Sequence, residues 1–337
     1  MKVFPQGGRA WFRLIATLSI LALALGSLVR FMTAMPGSAY VGPLPALSQQ
    51  ETEINANLKK HVSFLAATIG ERNVLTYKAL QNTAQYIEDA LKAQGYTVES
   101  QEYVVEAKKV RNLIAEIHGA DKASEIVVIG AHYDTVYFCP GADDNTSGVA
   151  ALLELARLLK DTHPARTLRF VAFVNEEPPY FQTADMGSLV YAKRAHQRNE
   201  NIVAAVSLET IGMYSDAEGS QHYPSGFGLL YPSKGNSIGF IGNLSSRSLV
   251  REALAAFRET TAFPSEGSAV PAAVPGVGWS DHWSFWQEGY PAIMVTDTAP
   301  FRNPHYHQPT DKPETLDYDR MTRVTRGLVK VVLRITG

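Results

Sequence analysis

The chain is short of three things. It has one cysteine, Cys139, among 337 residues, so no intrachain disulfide can form and no disulfide framework reports its redox compartment. It carries little net charge: 31 basic against 33 acidic residues leave -2 at neutral pH. That balance offers no basic face and argues against a nucleic-acid partner. It also has few long uncharged apolar runs, and the one that stands out, residues 14–29, lies near the N-terminus. The rest is ordinary globular composition, 45% hydrophobic and 19% charged.

The apolar run is preceded by Lys2, Arg9 and Arg13 and closed by Arg30. A basic flank before a hydrophobic run reads as an export signal, with the flank kept inside and the bulk of the chain exported. The run is slightly short of the roughly 17–25 residues of a spanning helix, but Phe31 and Met32 extend it past Arg30. Gly37, Ser38 and Ala39 supply small residues suited to a cleavage site. Residues 1–35 are therefore either a signal peptide or an N-terminal membrane anchor. The protein is expected outside the cytoplasm, secreted or periplasmic, or attached to a membrane by this segment.

Residues 36–50, PGSAYVGPLPALSQQ, are rich in Pro, Gly and Ser and read as a linker. Residues 51–337 show no repeat and no second linker, which predicts one domain. Apolar spacing predicts helices over 73–94, 147–160, 188–197, 245–259 and 316–335. Strands are predicted over 96–103, 112–117, 125–131, 167–174, 202–208 and 291–296. EIVVIGA and TLRFVAFV are continuous apolar runs, as expected of strands buried on both faces. This alternation predicts an α/β fold, a mostly parallel, mixed central sheet within three α/β/α layers. Residues 212–243 depart from it: they are rich in Gly, Pro, Tyr and Ser without a period, and read as a functional loop.

Chemistry-bearing residues follow the buried strands. His132, Tyr133 and Asp134 come after EIVVIGA, Asn175, Glu176 and Glu177 after TLRFVAFV, and Glu209 after IVAAVSL. In open α/β sheets the ligand crevice lies at the C-terminal ends of the strands, so these residues converge in space. Acids gathered in a crevice repel one another unless a cation neutralises them, and acids with a histidine therefore imply a metal. The segment PGADDNTSG, residues 140–148, places Asp143, Asp144 and Asn145 at the start of a helix, more acceptors than capping requires. NPHYH, residues 303–307, offers His305 or His307 as a second imidazole, while His282 in SDH would cap or support. Zinc takes such nitrogen and oxygen donors, and two zinc ions sharing a bridging carboxylate would use the whole set.

HYDT (132–135), PGADDNTSG, NEE (175–177), LET (208–210), SDH (280–282) and NPHYH together resemble the metallopeptidases of family 28, the co-catalytic zinc aminopeptidase group. The resemblance covers about residue 55 to the C-terminus and makes 51–337 a zinc exopeptidase-like catalytic domain. It implies two Zn2+ ions, with His132 on one, His307 on the other and Asp144 bridging. Glu177 and Glu209 would each complete one metal's shell, Glu176 would be the general base, and Asp134 would orient His132 from behind. It also implies a cis peptide between Asp144 and Asn145. Two positions depart from the family's pattern: Glu209 stands where many members have Asp, and Val277, Gly278 and Trp279 stand where secreted members carry a Tyr that holds the reaction intermediate. Tyr214, Tyr223 and Tyr231 are then candidates for that donor.

The expected function is release of N-terminal amino acids from a peptide substrate by metal-activated water. The alternatives on the same scaffold are a carboxypeptidase, for which Arg302 is the one cationic candidate near the motifs, a glutaminyl cyclase, and a non-catalytic binding module. Trp279, Trp283, Phe285 and Trp286 would line a pocket or belong to the core. Oligomeric state is not readable from the sequence.

Overall fold

EIVVIGA and TLRFVAFV form the middle of one eight-stranded sheet in the computed structural model, which describes residues 7–337. Lys2, part of the basic flank, lies outside the described residues. The strands are β1 (Val98–Val105), β2 (Lys108–Ile117), β3 (Lys122–His132), β4 (Arg166–Phe173), β5 (Asn201–Glu209), β6 (Ile238–Gly242), β7 (Ser265–Ala269) and β8 (Ala292–Thr296), in the spatial order β1-β2-β4-β3-β5-β8-β6-β7. The central four, β4-β3-β5-β8, are mutually parallel, and β6 and β7 form a parallel pair; β1, β2 and the β6–β8 contact are antiparallel. The sheet is thus mixed, as the alternation predicts.

The helices are α1 (Gly8–Thr33), α2 (Gln49–Val62), α3 (Tyr77–Ala93), α4 (Gly148–Leu159), α5 (Gly187–Gln197), α6 (Arg247–Thr260), α7 (His282–Gln287) and α8 (Tyr318–Thr336). One layer holds α2, α3, α4, α6 and α8; α5 and α7 pack together on the other face. Side chains alternate along β3 accordingly. Val127, Ile129 and Ala131 enter the larger core, and Ile126 and Val128 enter the smaller one with Phe173 and Phe285. A strand buried on both sides has no solvent face to encode, which is why its sequence is a continuous apolar run.

Three elements differ from expectation. α2 begins inside the stretch read as a linker, with Ser48 and Glu51 forming a capping box at its start and Ile54, Leu58 and Val62 making its buried stripe. β6 lies at the end of the loop 212–243, and β7 was not predicted. Both are five-residue edge-side strands, IGFIG and SEGSA, too short and glycine-rich to show a period. The register carries the functional consequence. His132 pairs with Phe173, Gly130 with Ser207 and Glu209 with Thr296, so the C-terminal ends of four parallel strands finish at one edge.

Candidate metal centre

That edge gathers the residues that the sequence singles out. His132 is the last residue of β3 and is fully buried; Glu176 and Glu177 follow β4, and Glu209 ends β5. The Asp143–Asp144–Asn145 loop enters α4 from Gly141, whose φ of 62° is left-handed. A Cβ at Gly141 would sit 2.3 Å from the Asp144 carbonyl oxygen, and one at Gly148 would sit 2.5 Å from the Leu208 carbonyl oxygen. Both positions therefore need glycine for the loop to close against β5. The Asp144–Asn145 peptide is cis. Asn145 joins loop to strand: its amide donates to the Leu208 carbonyl at 2.8 Å, and its Oδ1 accepts from the Gly148 and Thr210 N–H groups at 3.1 Å.

The ligand-type atoms lie close together. His132 Nε2 is 3.3 Å from Asp144 Oδ1 and 3.3 Å from Glu209 Oε2. His307 Nε2 is 3.0 Å from Asp144 Oδ2 and 3.3 Å from Glu177 Oε2. Two groups of three result, His132–Asp144–Glu209 and Asp144–Glu177–His307, with Asp144 common to both. Glu176 stands beside them, its Oε2 3.9 Å from His132 Nε2. His305 is not in either group; its Nδ1 pairs with Thr310 Oγ1 at 2.9 Å. His282 is buried elsewhere, with Nε2 2.7 Å from the Val277 carbonyl.

The donor set fits a cation. Both nitrogens of His132, Asp144 Oδ1, Glu177 Oε1 and His307 Nε2 are buried without a hydrogen-bond partner. Orphaned groups of this kind are costly unless something else satisfies them. Two donors each about 2.0 Å from one tetrahedral zinc stand about 3.3 Å apart, the spacing found within both groups.

Without cations the cluster compensates with protons. Burial pushes the Glu177 carboxyl up to about 8, helped by Asp144 and opposed by His307. Burial also raises Glu176 well above the ordinary carboxylate range and raises Glu209. Burial works against charge on His307, but Asp144 and Glu177 pull it up to about 10. His132 rises too, since Glu209 and Glu176 outweigh its burial. Asp144 alone goes down: burial opposes its charge, but the two imidazoles beside it win.

A supporting layer holds these groups. Asp134 accepts the Glu176 and Glu177 N–H groups at 3.1 Å each, fixing the turn that carries both acids. Its Oδ1 is 3.6 Å from His132 Nδ1, longer than a hydrogen bond, so its direct bonds are to the backbone of the NEE turn rather than to the imidazole. Ser280 Oγ donates to Glu209 Oε2 at 2.7 Å. Two further supports carry no sequence motif. Asp311 accepts the Asp143 and Asp144 N–H groups at 2.9 and 3.1 Å. Arg72, fully buried, donates to the carbonyls of Tyr133, Pro140 and Gly141 and to Thr146 Oγ1, tying HYDT to PGADDNTSG. Its partners are mostly backbone, so no side-chain pattern in the sequence could reveal it.

A cavity of about 110 Å³ opens beside the cluster and has Glu209 and Tyr306 in its wall. Its remaining lining is largely apolar and aromatic, with Phe227, Val277, Trp279 and Phe301; Trp279 stacks on Phe301. Trp279 is the member of the predicted tryptophan and phenylalanine group that reaches it, while Phe285 and Trp286 belong to or pack on the smaller core. The tyrosines of the 212–243 loop are otherwise engaged: Tyr214, Tyr223 and Tyr231 donate to the carbonyls of Ile211, Pro232 and Gly267. The phenol that does stand among the carboxylates is Tyr306. Its ring stacks on His307 at 3.9 Å, and burial with Asp144 and Glu177 beside it raises its pKa. It lies inside the NPHYH motif, between the two histidines that drew attention from it.

Comparison with known proteins shows the family. The model of peptidase family M28 matches residues 112–332. An Escherichia coli K12 protein, the uncharacterized protein YfbL, is 35% identical over 302 residues, 87% of this chain and 91% of its own length. The chain belongs to peptidase family M28. The M28 fold is also seen in solved structures. A zinc aminopeptidase from Bacillus subtilis superposes with a TM-score of 0.66 at 16% identity, covering 82% of this chain and 94% of its own. A glutaminyl cyclase from Tannerella forsythia superposes with a TM-score of 0.59 at 23% identity, covering 83% and 98%. One scaffold therefore hosts two chemistries, and the site must decide between them.

Proposed function

We propose that this M28 protein is a zinc aminopeptidase that uses two metal ions and acts outside the cytoplasm. The observation that carries the reading is Asp144, which offers one oxygen to the His132 side of the site and the other to the His307 side. His132, Asp144 and Glu209 would hold one zinc, and Asp144, Glu177 and His307 the other. Bound zinc supplies Lewis acidity toward a scissile carbonyl and lowers the pKa of water to about 7. Glu176 then takes a proton from the attacking water and gives it to the leaving amine. The Tyr306 hydroxyl, rather than a tyrosine of the 212–243 loop, donates to the oxygen on which negative charge develops.

Charge favours an amine-ended substrate. Glu209 lines the cavity where a substrate's α-ammonium group would lie, and Glu176 stands beside His132 in the adjoining cluster. A carboxypeptidase needs a free cation for a terminal carboxylate. Arg302 is the one cationic side chain lining the cavity among the described residues. Its guanidinium is spent on Gln221 Oε1 and the carbonyls of Met213 and Ser237. A cyclase would leave the second three-residue group without a purpose, and a binding module would leave the orphaned donors unexplained.

The test is release of p-nitroaniline from leucine p-nitroanilide and from its N-acetylated form, with and without a chelator. Cleavage of the free-amine substrate alone, lost on chelation and restored by zinc, is expected. Equal cleavage of the acetylated substrate, or chelator-resistant cleavage, would overturn the reading.

A further inference from the structure

The N-terminal helix leaves open whether it is removed or kept, and the segment behind it bears on the answer. α1 is 26 residues long, about 39 Å at 1.5 Å per residue, enough to cross a hydrocarbon core of roughly 30 Å. None of its apolar span is buried in the protein, and Leu18, Leu21, Leu25 and Leu28 are exposed on it. Trp11 and Phe12 stand near one end and Phe31 near the other, the positions of interfacial aromatics.

The chain after α1 is not loose. Arg247, Arg251 and Arg258 recur at one-turn multiples along α6 and so share a face. Arg247 Nε donates to the Phe31 carbonyl at 2.6 Å, and its guanidinium lies over the Phe31 ring at 4.2 Å. Arg251 donates to the Ala34 carbonyl, and Arg258 to the Pro36 carbonyl at 2.9 Å. Arg323 of α8 continues the row by donating to the Pro45 carbonyl. Met35 packs on the large core against β7 at Gly267, where a Cβ would come within 3.3 Å of Met35 Cγ. Four arginines thus hold one strap of backbone to the folded domain. Cleavage at Gly37–Ser38–Ala39 would remove the carbonyls that three of them bind and the methionine from its socket.

We propose that α1 is retained as a membrane anchor and that residues 31–45 are a built part of the catalytic domain, clamped by Arg247, Arg251, Arg258 and Arg323. The partner is a lipid bilayer, entered with the basic flank on the cytoplasmic side. The strap lies against β7, and Gly267 of β7 also lines the cavity and accepts the Tyr231 hydroxyl at 3.0 Å. The domain is therefore moored with its cavity one strand away from the tether.

The experiment uses the full chain with a C-terminal tag, expressed in a bacterium. Its mature mass is measured and its membranes are extracted with alkaline carbonate. The expected result is a mass that includes α1 and a protein that stays in the membrane pellet. A mature chain starting between residues 34 and 40, or one released to the soluble fraction, overturns the proposal. The clamp is read separately in the full-length double variant Arg251→Ala, Arg258→Ala by limited proteolysis with proteinase K. Cleavage within 34–45 should be about tenfold faster than in the parent. An unchanged cleavage rate overturns the clamp. If the variant does not accumulate, the same reading is taken from Arg323→Ala, which should expose the strap at its Pro45 end. Neither measurement depends on catalytic activity.

Discussion

The carboxylate–imidazole cluster and the cavity beside it meet at Glu209 and are built in opposite ways. The cluster takes most of its residues from the ends of central parallel strands, buries nearly all of them and leaves several of their ligand atoms, on His132, Asp144, Glu177 and His307, without hydrogen bonds. The cavity wall comes from the sheet's β6–β7 side and from loops, and the hydroxyls of its Tyr223 and Tyr231 are already satisfied by backbone. One region is polar, overcharged and short of partners; the other is largely apolar. The first is arranged to be finished by cations and the second to receive an apolar side chain, so changes in the two should separate into metal or rate effects and binding effects.

The largest separation is expected at Asp144. Asp144→Asn should release metal and remove turnover by about four orders of magnitude or more, as expected when both halves of a co-catalytic site fail. Elemental analysis and the anilide assay read both. Retention of full metal and rate would mean that Asp144 does not bridge. Glu176→Gln should keep its metal and fold while kcat falls by about 10²- to 10⁴-fold, the usual contribution of a general base. A loss of metal in this variant would instead make Glu176 a ligand.

Proton linkage gives the next effect. In the metal-free protein, Glu177 is raised to about 8 and His307 to about 10. Both groups therefore hold protons at pH 7. Their effect on the metal-free fold runs one way: stability falls as pH rises, between about 4.5 and 8 for Glu177 and between about 6.5 and 10 for His307. A cation must displace those protons, and the one on His132, so zinc binding at pH 7 should release protons and tighten as pH rises toward 8. Calorimetry in two buffers of different ionisation enthalpy counts them, and binding without proton release would contradict the assignment. The smallest effect belongs to the cavity. Trp279→Ala should raise KM for an apolar N-terminal residue by about tenfold with kcat nearly unchanged, the mark of lost uniform binding. A fall in kcat alone would join the cavity to the chemistry after all.

The same contrast explains what the sequence made legible. His132, Glu177 and Glu209 were visible because strands buried on both faces are continuous apolar runs, and a metal-capable residue ending each run stands out. β6 and β7, which frame the cavity, are short and rich in glycine, so nothing periodic marked them. α2 was hidden by its narrow stripe, three large apolar residues in fourteen, although its capping box was present in the text of the sequence. Arg72 and Asp311 act on backbone atoms, which every residue possesses, and so leave no signature. Tyr306 was masked by its neighbours: between two candidate histidines a tyrosine reads as spacing until its ring is seen stacked on His307.

The account rests most directly on the number of cations the cluster holds. Zinc per chain can be counted by mass spectrometry of the purified protein after equilibration with zinc and removal of excess. Two ions per chain, falling with Asp144→Asn, is the predicted result. One ion per chain in the unaltered protein would contradict the shared carboxylate and favour single-metal chemistry on the same scaffold.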